Sequence, residues 1–259
     1  RILLIQAIVF WPVWQWYLAR LGDPAEDISV LVALVTAGVF LLWKKSAPRQ
    51  TPIPLRIPIF LLLLYTITFP LSPPLLRAVI AVITLSYTLN GWRFGDRFQP
   101  WLYGLLLLSL PVISPMQFYL SYPVRLIVGK LATILLQVLG FPVVFEGIAF
   151  NWGGDHIWLD ELCSGIRKLW AGLYFTFALV AFYDLGKKKT VVVTGFSVLA
   201  FLMANVLRTA LLFYVKADFL AEPWWLHQWG GVIMFLLAAI ATVAAAGPEI
   251  HPVDRILGD

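Results

Sequence analysis

The sequence is poor in charged residues, and this shortage narrows the class of protein. Charged residues make up 13% of the 259 residues, whereas 61% are hydrophobic and the mean hydropathy is +0.85. Soluble domains have about 25% charged and about 45–50% apolar residues. A globule of this length could not bury so much apolar surface, whereas a bilayer accepts it on outward faces. The composition therefore excludes an ordinary soluble enzyme and a disordered chain, and predicts a membrane protein.

Cysteine is also scarce, because Cys163 is the only one in the chain. A single cysteine excludes an internal disulfide and a cysteine-rich metal site. Three roles stay open for it: a small buried apolar side chain, a partner in an intermolecular disulfide, or a reactive thiol. The sequence also lacks a phosphate-binding loop, an HExxH pair and a GxSxG elbow. These absences count against an ATPase, a zinc peptidase and a serine hydrolase of the usual kinds.

The sequence does contain a series of apolar runs that suggest helices across a bilayer. Eight of these runs are predicted to be spans. A further run, Leu126 to Leu139, is short and close to charged residues, so an interfacial or re-entrant segment is predicted there. The predicted fold is an all-α integral membrane protein with about eight transmembrane helices. The eight predicted spans are Ile2 to Ala19, Ile28 to Trp43, Ile57 to Leu71, Leu75 to Asn90, Trp101 to Ser114, Ser164 to Phe182, Val191 to Val215 and His227 to Ala246.

Basic residues cluster in the loops after the second, fourth and sixth predicted spans. The net charge of +5 therefore lies in short loops rather than on one basic face, which favours membrane orientation over nucleic-acid binding. The positive-inside rule predicts that these loops and both termini are cytoplasmic. The predicted location of the protein is the cytoplasmic membrane. The basic residues are Lys44, Lys45, Arg49 and Arg56, then Arg93 and Arg97, then Lys187, Lys188 and Lys189.

The predicted spans divide a single polytopic domain into four parts. These are a five-span scaffold over residues 1–115, an extracytoplasmic or interfacial segment over 116–163, a three-span catalytic core over 164–246 and a cytoplasmic tail over 247–259. Before the sixth span, apolar and polar residues alternate around a Gly-Gly pair. This pattern predicts a short β-hairpin with arms at Val143 to Ile148 and His156 to Asp160.

Three chemically active residue types are predicted to lie near the outer surface. Cys163 begins the sixth span, His227 begins the eighth, and Arg208 lies about 10 Å below the outer end of the seventh. An arginine within an apolar helix is costly unless it finds a partner, although a structural arginine that reaches head groups is an alternative. Taken singly, His227 suits an interfacial hydrogen bond and Cys163 an inert thiol. Together they provide the nucleophile, acid/base and cation that acyl transfer requires.

The segments DELCSGIRKLWAGLYF, NVLRTALLFY and HQWGGVIMFLLA follow one another in the second half of the chain. Together they resemble the exosortase and archaeosortase family, which comprises polytopic membrane cysteine transpeptidases that act on C-terminal sorting signals such as the PEP-CTERM tail. The resemblance covers Gly140 to Ala246. It implies that Cys163 is the nucleophile, Arg208 the arginine and His227 the histidine of the family's site.

Three further residues are candidates for substrate binding. Arg167 lies four residues past Cys163 and either holds a substrate carboxylate or anchors the helix at the interface. Asn205, three residues before Arg208, either orients the guanidinium or makes an interhelical hydrogen bond. Glu161 is a candidate to orient the histidine or to meet a basic part of the substrate. The acidic residues beside the hairpin lack a recognisable metal-ligand spacing, so no metal or cofactor is expected.

The sequence therefore predicts a membrane cysteine protease or transpeptidase that forms an acyl-enzyme thioester at the outer face of the membrane. Its expected partners are the lipid bilayer, membrane-anchored proteins with a C-terminal sorting signal, and an envelope lipid or glycan as acceptor. The alternative is a non-enzymatic membrane binder or carrier with Arg208 in a lipid or solute path. The sequence shows no inverted repeat of the sort that many carriers use.

Overall fold

The computed structural model describes residues 2–22, 29–46, 54–95, 97–159, 165–217 and 224–247. Most of these residues are helical, and three short strands lie between the seventh and the eighth helix. The elements are α1 (Ile2–Val9), α2 (Trp11–Leu21), α3 (Ser29–Trp43), α4 (Arg56–Thr68), α5 (Pro74–Phe94), α6 (Pro100–Leu108), α7 (Ile113–Val138), β1 (Val144–Glu146), β2 (Ala149–Trp152), β3 (Asp155–Trp158), α8 (Ile166–Tyr183), α9 (Lys187–Lys216) and α10 (Trp224–Ala246).

Within the described residues, four helices are long and apolar enough to cross a membrane. They are α5, α7, the stretch Lys187–Val215 of α9 and the stretch Trp229–Ala246 of α10. The pair α1 and α2 is bent by 62° and would make a fifth if it forms one broken span. The prediction of a helical, multi-pass membrane protein is confirmed. The predicted count of eight spans is not confirmed, because α3 and α4 have 15 and 13 residues and fall short of the ~20 that a span needs.

The region around Pro123 differs from the sequence prediction. The run Leu126 to Leu139 was predicted to be interfacial or re-entrant, but residues 126–138 form the second half of α7, a helix of 26 residues that continues through Pro123. The predicted fifth span, in contrast, contains the nine-residue helix α6 and then a break before α7. Membrane helices tolerate an internal proline when the freed backbone groups find other partners, so the short run joins the residues before Pro123 in one long helix.

The chain divides into two compact units. The first unit comprises residues 1–114 and 177–191, and the second comprises residues 115–176 and 192–259. In the first unit, Gln6 Nε2 donates a 2.8 Å hydrogen bond to Thr88 Oγ1, and both side chains are buried. The Thr88 hydroxyl in turn donates to the carbonyl oxygen of Thr84. These bonds satisfy buried polar groups between α1 and α5, which apolar packing alone would leave unpaired.

The second unit contains a three-stranded antiparallel sheet in the order β1-β2-β3. Trp152 pairs with Asp155 across a turn at Gly153 and Gly154, whose φ angles of +60° and +97° suit glycine. The Gly-Gly turn lies where the sequence predicts it, but the predicted arms do not match the strands. The predicted first arm ends at Ile148, whereas β1 and β2 are separate strands that turn at Gly147.

The sheet packs on α7 and α9 through one apolar cluster of the second unit. Phe150 of β2 and Phe213 of α9 are almost fully buried, and their ring centroids are 5.8 Å apart in an edge-to-face arrangement. Val128 and Leu136 of α7 belong to the same cluster. Arg125 Nη1 donates a 3.2 Å hydrogen bond to the carbonyl oxygen of Leu159, just after β3. The sheet thereby fixes the chain shortly before it enters the segment that contains Cys163.

Candidate functional site

The structure describes the predicted site residues to different extents. Cys163 and Glu161 lie outside the described residues. His227 belongs to the first turns of α10, a helix whose side chains are described from residue 229 onward. Arg167, Asn205 and Arg208 are described in full. The geometry of the site is therefore built from α8, α9 and α10, together with Gly165, the first described residue after Cys163.

Arg208 is a buried cation on α9. Its side chain is 7% exposed, and its Nε and Nη1 atoms have no hydrogen-bond partner among the described residues. Burial of a guanidinium is costly unless it is paired and its N–H groups are satisfied. An arginine that keeps two donor atoms unsatisfied in a buried position is poised to receive negative charge from a bound group or a reaction intermediate.

Gly231 brings α10 close to this arginine. A Cβ atom added at Gly231 would lie 3.4 Å from Arg208 Nε and 3.1 Å from Lys168 Nζ. The absence of a side chain at this position thus lets α8, α9 and α10 approach one another at one point. Both cationic nitrogens lie within 3.4 Å of that point, so the site concentrates positive charge where three helices meet.

The backbone that follows Cys163 is held against α9. Gly165 has φ +71°, and a Cβ atom added there would lie 2.7 Å from Asn205 Cγ. Asn205 is 3% exposed and precedes Arg208 by three residues, so both belong to the buried side of α9. Gly165 therefore permits a close contact between the chain two residues after Cys163 and the helix that contains Arg208.

Position 227 lies one helical turn from Gly231, where Arg208 and Lys168 approach α10. In α10, residue 227 precedes Gly231 by four positions, and four residues make slightly more than one turn. The backbone of α10 thus brings the start of this helix to within one turn of the Arg208 contact. The described part of the second unit brings Lys168 and Arg208 together at Gly231, and it brings Asn205, one turn before Arg208 on α9, against Gly165.

Sequence reasoning missed Lys168 and Gly231. Arg167 was selected because it lies four residues past Cys163, but its side chain is exposed in the structure, whereas the neighbouring Lys168 is half-buried beside Arg208. Two adjacent basic residues at the start of a helix give no sequence signal for which of them faces inward. For Gly231, the available signal was the Gly-Gly pair shortly after His227.

The described residues contain no group of three or more His, Cys, Asp or Glu side chains that could hold a metal ion. His156 lies on β3, and its Nδ1 contacts Asn151 Oδ1 on β2. The two residues are cross-strand partners in the sheet. A structural role in the sheet therefore accounts for this contact.

The fold and the site define a class of protein: a helical, multi-pass membrane protein with a buried arginine where three helices meet. Two nitrogen atoms of this arginine have no hydrogen-bond partner among the described residues. A family model described as transmembrane exosortase matches residues 2–244. The chain therefore belongs to the transmembrane exosortase family, a family of membrane transpeptidases. No curated protein and no solved structure matches it. The resemblance inferred from three segments of the second half is confirmed, and it extends over the first half of the chain.

Gly165→Ala is expected to lower both stability and any activity of this site. The new Cβ would clash with the Asn205 amide and would force an alanine to adopt a left-handed backbone conformation, at a combined cost of about 2–4 kcal/mol. Gly195→Ala is the matched control, because a Cβ atom at Gly195 meets no atom within 4 Å. Thermal unfolding of both purified variants measures the difference. Equal midpoints for Gly165→Ala and Gly195→Ala would contradict the close packing of Gly165 on Asn205.

Proposed function

We propose that this protein is a membrane cysteine protease or transpeptidase that cleaves a C-terminal sorting signal of the PEP-CTERM type through Cys163, Arg208 and His227. The observation that supports the proposal most strongly is the contact at Gly231. There the buried guanidinium of Arg208, with unsatisfied donors, meets α10 one helical turn from residue 227. Arg208 belongs to α9, and this helix packs against Gly165, two residues after Cys163. Membership of the transmembrane exosortase family supports the same reaction class.

The proposed reaction proceeds through a thioester. The Cys163 thiolate attacks the scissile carbonyl carbon and forms a C–S bond, while the carbonyl π electrons move onto oxygen. As that oxyanion collapses, the C–N bond breaks and His227 donates a proton to the departing amine. An amine or hydroxyl of an envelope lipid or glycan then attacks the thioester carbonyl and gives its proton to the now neutral His227, and the C–S bond breaks to release the thiolate. Attack by water in place of that acceptor gives hydrolysis.

Arg208 is assigned to the tetrahedral intermediate. A preorganised cation in a water-poor site stabilises developing negative charge far more than a solvated cation does, and it needs no reorganisation during the reaction. Lys168 adds a second positive charge at the same point. Positive charge near a cysteine also favours its thiolate over its thiol. One arrangement of charges would thereby assist both the nucleophile and the oxyanion.

We place the site at the outer face of the cytoplasmic membrane, with both termini inside, because the basic loops follow the positive-inside pattern. In this scheme, residues 1–115 act as a scaffold, residues 164–246 form the catalytic core, and the anchored substrate enters laterally from the bilayer. Arg167 and Glu161 are assigned to the substrate, and Asn205 is assigned to the orientation of the site. The alternative is a non-enzymatic binder or carrier with Arg208 in a lipid or solute path, and the reactivity of the Cys163 thiol distinguishes it from the enzyme.

Thiol labelling on intact cells tests the proposal directly. Because the chain has one cysteine, a membrane-impermeant maleimide reports on Cys163 alone once the protein is purified. We expect labelling to be fast well below pH 8.5, the ordinary pKa of a cysteine thiol, and to slow in His227→Ala and Arg208→Gln. Arg56→Gln is the matched control, because this arginine is exposed at the start of α4. Labelling that follows an unperturbed thiol in all four proteins would count against an activated nucleophile.

A further inference from the structure

A small cavity in the first unit lies between α2 and α5. Its volume is about 60 Å³, and it is lined by Pro12, Val13, Trp16, Pro74 and Arg77. A single water molecule needs about 10–15 Å³ of such space, so the cavity has room for a group of several atoms. The Nε atom of Arg77 is buried and has no hydrogen-bond partner among the described residues.

One buried hydroxyl group belongs to the neighbourhood of this arginine. Tyr65 is 3% exposed, and its hydroxyl has no partner within the described part of the chain. Arg77 interacts electrostatically with Tyr65. The guanidinium carbon lies 4.6 Å from the centroid of the Phe69 ring, an arrangement that orients the guanidinium plane. The cluster therefore has an oriented cation and a hydroxyl, both of which can donate hydrogen bonds.

These donors require an acceptor that carries negative charge. A guanidinium donates hydrogen bonds and accepts none, and buried donors that stay unsatisfied are costly. In the first unit, the described acidic residue Asp184 is already paired with Lys44 at 2.6 Å. A phosphate group supplies several acceptor oxygens and matches the planar fork of an arginine. A bound phosphate group would satisfy the set of donors that the described side chains leave open.

The surroundings favour a phosphate that is attached to a lipid. Leu71, in the connection between α4 and α5, and Leu76, next to Arg77 in the sequence, are 88% and 47% exposed. Exposed apolar side chains close in sequence to a cationic cavity suit acyl chains that extend from a head group held inside. Trp16 lines the cavity, and tryptophan is enriched where membrane meets water.

We propose that this cavity binds a phosphate group through Arg77 and the neighbouring Tyr65, and that the group belongs to an anionic phospholipid. The proposal is independent of the proposed cysteine chemistry, because it rests on residues of the first unit alone. It assigns a lipid site to the part of the chain that otherwise serves as scaffold.

Lipid binding by the full-length protein in a nonionic detergent tests the proposal. Native mass spectrometry would measure the affinity for a short-chain phosphatidylglycerol, for phosphatidylcholine with the same chains and for inorganic phosphate. We expect phosphatidylglycerol to bind most tightly, with a loss of about tenfold or more in Arg77→Gln and about threefold in Tyr65→Phe. The control Arg56→Gln removes the same charge from an exposed position and should bind like the wild type.

The outcomes separate the two sources of phosphate. Binding of inorganic phosphate that is lost in Arg77→Gln, without binding of phosphatidylglycerol, would support the phosphate site but assign it to a free anion. Undiminished binding in Arg77→Gln, or equal binding of phosphatidylglycerol and phosphatidylcholine, would overturn the proposal. If Arg77→Gln fails to fold, Tyr65→Phe decides the question, because it removes only one oxygen atom, and wild-type affinity in that variant would overturn the proposal as well.

Discussion

Cys163→Ala is expected to abolish cleavage of a substrate with a C-terminal sorting signal. Alanine removes the only thiol of the chain, so no other cysteine can replace the nucleophile. Removal of a catalytic nucleophile costs on the order of 10⁴-fold or more in rate, because the remaining site groups act through it. The measurement is co-expression with a reporter protein that ends in such a signal, followed by the size of the reporter on an immunoblot.

The control for this experiment is the amount and stability of the enzyme. Cys163→Ser should accumulate in the membrane like the wild type and should show at most a trace of cleavage, because a serine hydroxyl is a far weaker nucleophile than a thiolate at neutral pH. Cleavage by Cys163→Ala at a rate near that of the wild type would refute the cysteine mechanism. It would assign the cleavage to another nucleophile.

The sequence predicted α8, α9 and α10 better than the helices of the first half of the chain. The runs behind α8, α9 and α10 are long, and polar residues or prolines mark their ends, so hydropathy located them. In the first half, the apolar runs were nearer 15 than 20 residues, and hydropathy alone could not decide between a span and a shorter buried helix. The helix α3, for example, has 15 residues and was counted as a span.

The contacts at the candidate site depend on rotations that sequence does not specify. Arg208 was identified from its cost within an apolar helix, and the structure shows it buried. Which neighbour meets it depends on how α8 and α10 are rotated about their axes. Helical periodicity fixes that rotation only relative to residues of the same helix. Lys168 and Gly231 could therefore be found only once the three helices were packed.

The hairpin shows a similar limit. The alternation around Gly153 and Gly154 predicted a turn, and Trp152 pairs with Asp155 across it. Alternation has a period of two, so the same pattern fits one long strand or two short strands that fold back on each other. Gly147, with φ +59°, makes the second turn. A lone glycine in an alternating segment is compatible with a bulge or a turn, and the packing of the sheet on α7 and α9 selects the turn.

Arg208→Gln is expected to lower the rate of cleavage by about 10²–10³-fold while the substrate affinity changes little. Glutamine keeps polar atoms in the buried position but removes the charge that the proposed intermediate requires. Loss of an interaction made only in the transition state lowers kcat rather than raising KM. The measurement is the initial rate of cleavage at several substrate concentrations, with purified enzyme in detergent.

Lys188→Gln is the matched control for this substitution, because Lys188 is an exposed cation near the other end of the same helix. It should retain the wild-type rate. A structural arginine would behave differently from a catalytic one: Arg208→Gln would then lower the unfolding midpoint while the folded fraction cleaved at nearly the normal rate. Rates and midpoints measured on the same samples separate these cases. A fall of less than about threefold in kcat would be far below the effect of a lost oxyanion donor. It would assign the buried charge of Arg208 to folding rather than to catalysis.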